Sequence, residues 1–381
     1  VPDVTATYDP DTYRDGIADP GPNVGAWTSI AMSSGLARVA YQDRDEHALK
    51  YAYETKPGSW KNHVVDSGDA DVGQYASLAI DADGRPAIAY LAVGVDDGMG
   101  HRNTELRLVR GATANPEAPS DWTSAMIASA PGSCGGLCSG GTCVVGAADG
   151  DPQECVTPTT DCTATCADTE ACVAGACREM VAEPTLLAPP LGTGLYVSLV
   201  VLPDGRLAAA YYDQVKRALT LAVEDAKGAS TFTETILDGN AVGADRGMWS
   251  SAAVGTDGTV HVAYQDALGD QLMYTTWNGA PGTPEVVDDG QRAGDRTHPV
   301  GAAAAMYVAG GVPSIAYQDG MASDVYVATK GATWTVTPLA QGPLLDGFSI
   351  GATSGGGTPV LAWGTMDPSL TPPPTLTVRS P

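Results

Sequence analysis

The residues best placed to do chemistry are carboxylates that recur two positions after a tyrosine. Tyr-x-Asp is spelled at Asp43, Asp213, Asp266 and Asp319. Aromatic residues stand ahead of this phrase in their own segments: Trp27, Tyr75, Tyr196 and Trp249. Rings combined with carboxylates suit sugars or cationic groups, so these eight residues form the candidate ligand set. Each also has a plainer role. The aspartate would cap backbone amides at a strand end, and the rings would pack between units. Asp149 and Asp151, flanking Gly150, make a weak calcium candidate, because the longer spaced ligand set of a calcium loop is missing. Asp81-Ala82-Asp83-Gly84 and Asp204-Gly205 read as hairpin turns. There is no His-Glu-x-x-His and no phosphate-binding loop. The histidines, His47, His63, His101, His261 and His298, are scattered over different segments.

The elements that must position these groups follow from a repeat. A Ser-hydrophobic-Ala strand, a Gly-containing turn, Val/Ile-Ala-Tyr-x-Asp and Leu-x-Tyr return along the chain, as in Ser29-Ile30-Ala31 to Tyr51 and Ser251-Ala252-Ala253 to Tyr274. The central aromatics are Tyr41, Tyr90, Tyr211, Tyr264, Tyr317 and Trp363, with steps of 49, 121, 53, 53 and 46 residues. A unit of roughly 50 residues made of short strands is a four-stranded propeller blade. The segments are rich in Val, Ile, Thr, Tyr and Trp, bounded by Gly, Pro and Asp, and no helical period is sustained. The expected fold is therefore all-β, a six-bladed β-propeller. The last unit is one strand short, and residues 4–8 offer a spare strand to close the ring.

The step of 121 residues marks an insertion, giving propeller at 1–127, a small module at 128–185 and propeller again at 186–381. The module holds all eight cysteines: Cys134, Cys138, Cys143, Cys155, Cys162, Cys166, Cys172 and Cys177. Their spacing lacks the tight pairs of a zinc site, and the segment has no histidine. A disulfide framework is expected, with its pairing left open and its two halves alike. The elaborated face would gather the Tyr-x-Asp aspartates, the rim aromatics, the module and a long loop at 93–104. In the last two blades, Phe348 and the small residues near Ala302 align with the rim aromatics.

Formal charge is −25, with 45 acidic and 20 basic residues, which excludes a nucleic-acid partner that needs clustered Lys and Arg. No apolar run spans a bilayer. The chain begins at Val1, which reads as a mature or trimmed chain, and disulfides place it outside the cytoplasm: extracellular, cell-surface or periplasmic.

The blade phrase at 75–90, Tyr-x-Ser-Leu-Ala-x-Asp-x-x-Gly-x-Pro-x-x-Ala-Tyr, resembles uncharacterised secreted bacterial β-propeller repeat proteins. Cys138-Ser139-Gly140-Gly141-Thr142-Cys143-Val144 is similar to Cys/Gly-rich modules of bacterial surface proteins. The resemblance implies fold and carries no activity. Sialidase Asp boxes, Ser-x-Asp-x-Gly-x-Thr-Trp, and WD40 pairs are absent. The expected function is non-enzymatic binding or adhesion to glycan or protein at the cell surface, with calcium as the one cofactor in view. The alternatives are a self-associating structural subunit and a hydrolase or lyase acting on polysaccharide or peptide.

Overall fold

Each unit closes on itself through short hairpins. In the second, Pro86–Asp96 returns along Asp71–Ile80 after the Asp81-Ala82-Asp83-Gly84 turn. Gly84 takes φ +77°, and Asp81 Oδ1 accepts the N–H groups of Asp83 and Arg85. Left-handed backbone and an aspartate folding back on its own turn are what such a hairpin requires. The computed structural model describes residues 22–96, 102–132, 134, 138, 141–146, 153–181, 190–353, 358–369 and 374–381.

Four-stranded antiparallel sheets form from residues 24–66, 71–131, 193–239, 246–288 and 300–340, and a three-stranded sheet from 345–379. Strands follow chain order from the inner edge outward, and the inner strands of consecutive sheets lie side by side. This is an all-β, six-bladed propeller. The closing strand expected at 4–8 lies outside the described residues. Among those residues, the outer edge of Thr375–Arg379 has no partner strand, and Leu376 and Val378 on it are exposed. The long loop expected at 93–104 is mostly sheet, since Pro86–Asp96 pairs with Arg102–Gly111 out to Asp96↔Arg102. The fourth strand of blade 2, Trp122–Pro131, likewise runs on through 128–131.

Two repeated contacts hold blade to blade. In the first, a serine of one inner strand accepts the backbone N–H of the next. Ser29 Oγ takes Leu78 N, Ser77 takes Leu199, Ser198 takes Ala252 and Ser251 takes Met306, all at 2.9–3.0 Å. This is the work of the Ser-x-Ala phrase. In the second, the central tyrosine reaches the aspartate that ends the previous blade's fourth strand: Tyr90 to Asp66, Tyr264 to Asp238 and Tyr317 to Asp288, each at 2.5 Å. A buried hydroxyl must find such a partner, and a charged acceptor strengthens the bond.

The exceptions follow the sequence. Blade 5 ends in Ala340 where the aspartate would be, and the residue facing it is Trp363, which donates its indole N–H to Asp346 of its own blade. Blade 2 carries Ala128 at the matching register position of its fourth strand, and among the described residues no carboxylate of blade 2 accepts the buried hydroxyl of Tyr211 in blade 3. That seam is held instead at the opposite end, where Arg110 lies between the buried carboxylates of Asp81 and Glu224. Lys227 pairs with Asp83 beside it at 2.9 Å.

Five apolar clusters fill the seams from blades 1–2 to blades 5–6. Among the described residues none joins blade 6 to blade 1. Ile30 is 64% exposed, whereas its counterparts Leu78, Leu199 and Met306 are 5–7% exposed against the preceding blade. Glycine permits the close approach of neighbouring strands. A Cβ on Gly247, at φ +114°, would lie 2.8 Å from Leu219 Cα, and one on Gly194, at φ +97°, 2.6 Å from Leu106 Cβ.

The module is two small hairpins, Thr142–Val144 with Glu154–Val156 and Glu170–Val173 with Ala176–Glu179. All eight cysteines are paired: Cys134–Cys143, Cys138–Cys155, Cys162–Cys172 and Cys166–Cys177. In each half the first cysteine joins the third and the second joins the fourth, so the expected likeness of the halves extends to their connectivity. A Val144↔Met180 bridge and an Arg178–Glu154 ion pair at 2.8 Å tie the halves together. Thr104 Oγ1 bonds Leu191 O at 2.7 Å, fastening the returning chain to blade 2.

The seams predict a contrast between two identical substitutions. Tyr264→Phe removes a charged-acceptor bond and should cost about 1.5–3 kcal/mol. Tyr211→Phe removes a buried hydroxyl that meets no aspartate of the preceding blade and should leave stability within about 0.5 kcal/mol or raise it. Urea unfolding midpoints of the two variants check this. Equal losses would show that the Tyr–Asp bond is not what holds these seams.

Candidate functional site

The inner strands share a local distortion that determines what faces the axis. Each loses register with its neighbour twice in succession. The first bulge is a glycine with positive φ: Gly25, Gly73, Gly194, Gly247, Gly301 and Gly347. Two residues later a second position takes φ 50–55°: Trp27, Tyr75, Tyr196, Trp249, Ala303 and Ser349. Left-handed backbone at a bulky residue costs of order 1–3 kcal/mol and persists only where the surroundings impose it. Here all six blades impose it, and four carry an aromatic ring there.

Those rings touch in succession. Centroids are 4.1 Å apart for Trp27–Tyr75, 4.8 Å for Tyr75–Tyr196 and 4.8 Å for Tyr196–Trp249. The result is an arc over blades 1 to 4, with a gap at Ala303 and Ser349. Tyr75 and Tyr196 are buried, while the two tryptophans at the ends are half-buried. Burial raises both tyrosine hydroxyls, that of Tyr196 to about 12. The rings were expected in the loops between blades. They lie within the inner strands, and the blade 5 and 6 positions are Ala303 and Ser349, one residue beyond Ala302 and Phe348.

Ser349 also completes Gly347-Phe348-Ser349-Ile350-Gly351, a Gly-x-Ser-x-Gly spelling. It sits on a strand bulge rather than the strand-to-helix turn of a nucleophile elbow.

The Tyr-x-Asp aspartates are brought to the same end of each blade but not to one another's side chains. All four are buried, and each folds back on its own turn. Asp43 Oδ1 accepts the N–H groups of Asp45 and Glu46, and Oδ2 meets Lys50 Nζ at 2.6 Å. Lys50 and these amides hold its carboxyl below the usual range against the opposing effect of burial. Asp213 accepts Lys216 N and pairs with Lys216 Nζ at 2.8 Å. Asp266 accepts Leu268 N and pairs with Arg246 at 2.6 Å. Asp319 accepts Met321 and Ala322 N and pairs with Arg292 at 3.0 Å. Asp149, Asp151 and His101 lie outside the described residues.

Two further carboxylates stand at or just before the start of the strands that carry the arc. Asp71 and Asp245 each precede an arc residue by four positions, ahead of Tyr75 and Trp249. Asp71 accepts from Gln42 Nε2 at 2.7 Å and Gln74 Nε2 at 2.6 Å, with His47 Nδ1 at 3.2 Å. Asp245 Oδ1 accepts the Tyr212 hydroxyl at 2.6 Å. Neither was among the candidates read from the sequence, although the glycine two residues before each aromatic is legible there and sets the register.

No protein-family model matches the sequence, and no curated protein does. Solved structures do. The chain is similar to the microbial sialidase Hz136 from a Hadza source, at 12% identity and TM-score 0.51, over 94% of this chain and 66% of that one. It is similar to the GH93 α-L-arabinofuranosidase of Fusarium graminearum in complex with arabinobiose, at 10% identity and TM-score 0.51, over 97% and 94%. At this identity the likeness is one of fold. It nonetheless corrects the expectation of a non-enzymatic binding or adhesion protein. These propellers are glycoside hydrolases, so neither scattered histidines nor missing sequence motifs argue against an enzyme on this architecture.

One charged group gives the site a measurable pH response. His298 is buried, with Nδ1 2.8 Å from both oxygens of Asp319 and Nε2 3.2 Å from Asp295. Arg292 links Asp319 to Asp288 in the same cluster. The hydrogen bond to Asp319 raises the imidazole above its ordinary value, against a smaller opposing effect of burial. Protonation is therefore favoured by folding. The contribution is complete below about pH 6.5 and is lost as pH rises through the higher folded value. Melting temperatures across pH 5 to 9 should fall over that window for the native chain, and His298→Gln should remove that component. An unchanged slope in the variant would show that His298 is not the group responsible.

Proposed function

We propose that this chain is a glycoside hydrolase acting on polysaccharide, with the axial arc as its sugar-contacting surface. The observation that carries the reading is the contact series Trp27–Tyr75–Tyr196–Trp249, held at left-handed positions around the axis. Ring faces stack on the apolar face of a sugar, and the gap at Ala303 and Ser349 leaves one side of the axis free of rings. The buried tyrosines fix the arc, and the half-buried tryptophans meet the ligand. The fold likeness to a sialidase and an arabinofuranosidase supports the same reading.

Glycoside hydrolysis needs two carboxyl groups, one to protonate the leaving oxygen and one to activate water or attack. Asp71 and Asp245 are assigned these roles. Asp71 is held as an oriented carboxylate by two amides. Asp245 is held by the hydroxyl of Tyr212, which its carboxylate and burial keep protonated. The four Tyr-x-Asp aspartates contribute by keeping the loops around the opening in shape. Four disulfides fit an oxidising compartment, where polysaccharide is met outside the cell.

The test is release of reducing sugar from a panel of plant, microbial and sialylated glycans, between pH 4 and 9. Turnover of at least one member is expected. Asp71→Asn and Asp245→Asn should each lower kcat by about 10²–10⁴-fold, and Trp249→Ala should raise KM. Asp204→Asn, at a distant turn, should change neither. No release from any member overturns the hydrolase reading. Full activity in both carboxylate variants overturns the assignment of those residues.

A further inference from the structure

A second site lies at the opposite end of the molecule, in the seam between blades 1 and 2, and it is independent of the glycan reading. A cavity of about 210 Å³ opens there, lined by Leu36, Arg38, Tyr53, Glu54, Thr55, Lys61, Asn115 and Glu117. Arg38 is 4% exposed and lies over the Tyr53 ring, 5.5 Å from its centroid. Of its five N–H groups, three are used. Nη1 donates to the carbonyls of Ala37 and Glu54 at 3.1 Å, and Nη2 to Asn115 Oδ1 at 2.9 Å. Nε is buried with no partner among the described residues.

Every acceptor of this guanidinium is neutral. Among the described residues no carboxylate lies within ion-pair distance of it. The two carboxylates in the lining are already engaged. Glu54 accepts the N–H groups of Ala37 and Gly58, and Glu117 accepts Lys61 Nζ at 2.6 Å and the Tyr53 hydroxyl at 3.1 Å. A buried cation with no carboxylate at ion-pair distance is unfavourable, and Glu54 acts on this one only from further away.

The other blades show how this chain ordinarily answers an arginine at this end. Arg85 pairs with Asp81 and Asp83 of the hairpin turn before it, and Arg206 pairs with Asp204. Blade 1 turns through Ser34-Gly35 and has no aspartate there. Its arginine comes three residues later and points into the seam.

We propose that this cavity binds a small carboxylate, whose oxygens take the Nε edge of Arg38. A guanidinium presents paired donors that match a carboxylate, and a charge-assisted bond in a desolvated seam is about twice as strong as a neutral one. The volume admits an organic acid or a single uronate residue. Asn115 and Lys61 sit at its margin to contact hydroxyl or carboxyl oxygens.

The experiment is thermal denaturation and calorimetric titration of the full chain at fixed ionic strength, with acetate, glucuronate, glucose and phosphate. Acetate and glucuronate should raise Tm saturably and bind one per chain, while glucose should not. Binding to the native state alone raises stability by RT ln(1 + [L]/Kd), so the shift must follow concentration. Arg38→Gln should weaken carboxylate binding at least tenfold, and Arg206→Gln should not. Thr55→Trp, which fills the cavity mouth and spares Arg38, should abolish binding with the fold intact. That variant decides the matter if Arg38→Gln does not fold. No response to either carboxylate, an equal response to glucose, a response to phosphate alone, or full binding by folded Thr55→Trp each overturns the proposal.

Discussion

Everything in this protein depends on how one blade is held to the next. A four-stranded sheet of this size cannot shield both faces, so each blade is completed by its neighbours. The serine that accepts an N–H across the inner strands sets the height of one blade against the next. The tyrosine that reaches the preceding blade's last aspartate sets its angle. Both contacts use groups that would be a liability if buried alone, which is why they act as register marks as well as sources of stability. Where one partner is missing the seam is held differently: by the Trp363 ring packed against blade 5, and by a sandwiched arginine between blades 2 and 3.

The axis inherits its character from those seams. Because the inner strands approach closely, glycine is needed where the next strand crosses the third strand of the preceding blade. The backbone then recovers through a second left-handed residue. The chain fills that costly position with rings in four blades and with small residues in two. The repeat therefore supplies a six-fold frame, and the departures from it create a site with a closed side and an open side.

Much of the fold was legible in the sequence, because the Tyr-x-Asp phrase and its spacing report hairpins directly. The cysteine module was legible too, down to the likeness of its halves, because covalent pairing needs only the residues and a short span. The site was harder. The aspartates that looked like a ligand ring are each consumed by Lys50, Lys216, Arg246 or Arg292, and such pairing is invisible without coordinates. The rings looked like loop residues, since a double bulge shifts register without changing composition. Arg38 gave no signal at all, because its oddity is the absence of an aspartate in the Ser34-Gly35 turn just before it, set against the turns of blades 2 and 3. The expectation of a non-enzymatic protein came from weighing missing motifs, and on this architecture a catalytic pair is set by geometry.

The serine contacts all run in one direction, each blade accepting from the one after it, and they stop at Ser251. Ala305 and Gly351 occupy the next two positions and offer no hydroxyl. In an array governed by nearest-neighbour terms, a unit held by fewer contacts opens more often. Blades 2 to 4, with a serine contact on both sides, form the slowly exchanging kernel of the molecule. Blade 6, with neither among the described residues, is the segment whose amides are expected to exchange first. The closed side of the axial arc thus rests on the rigid half of the ring, and its open side borders the half that breathes.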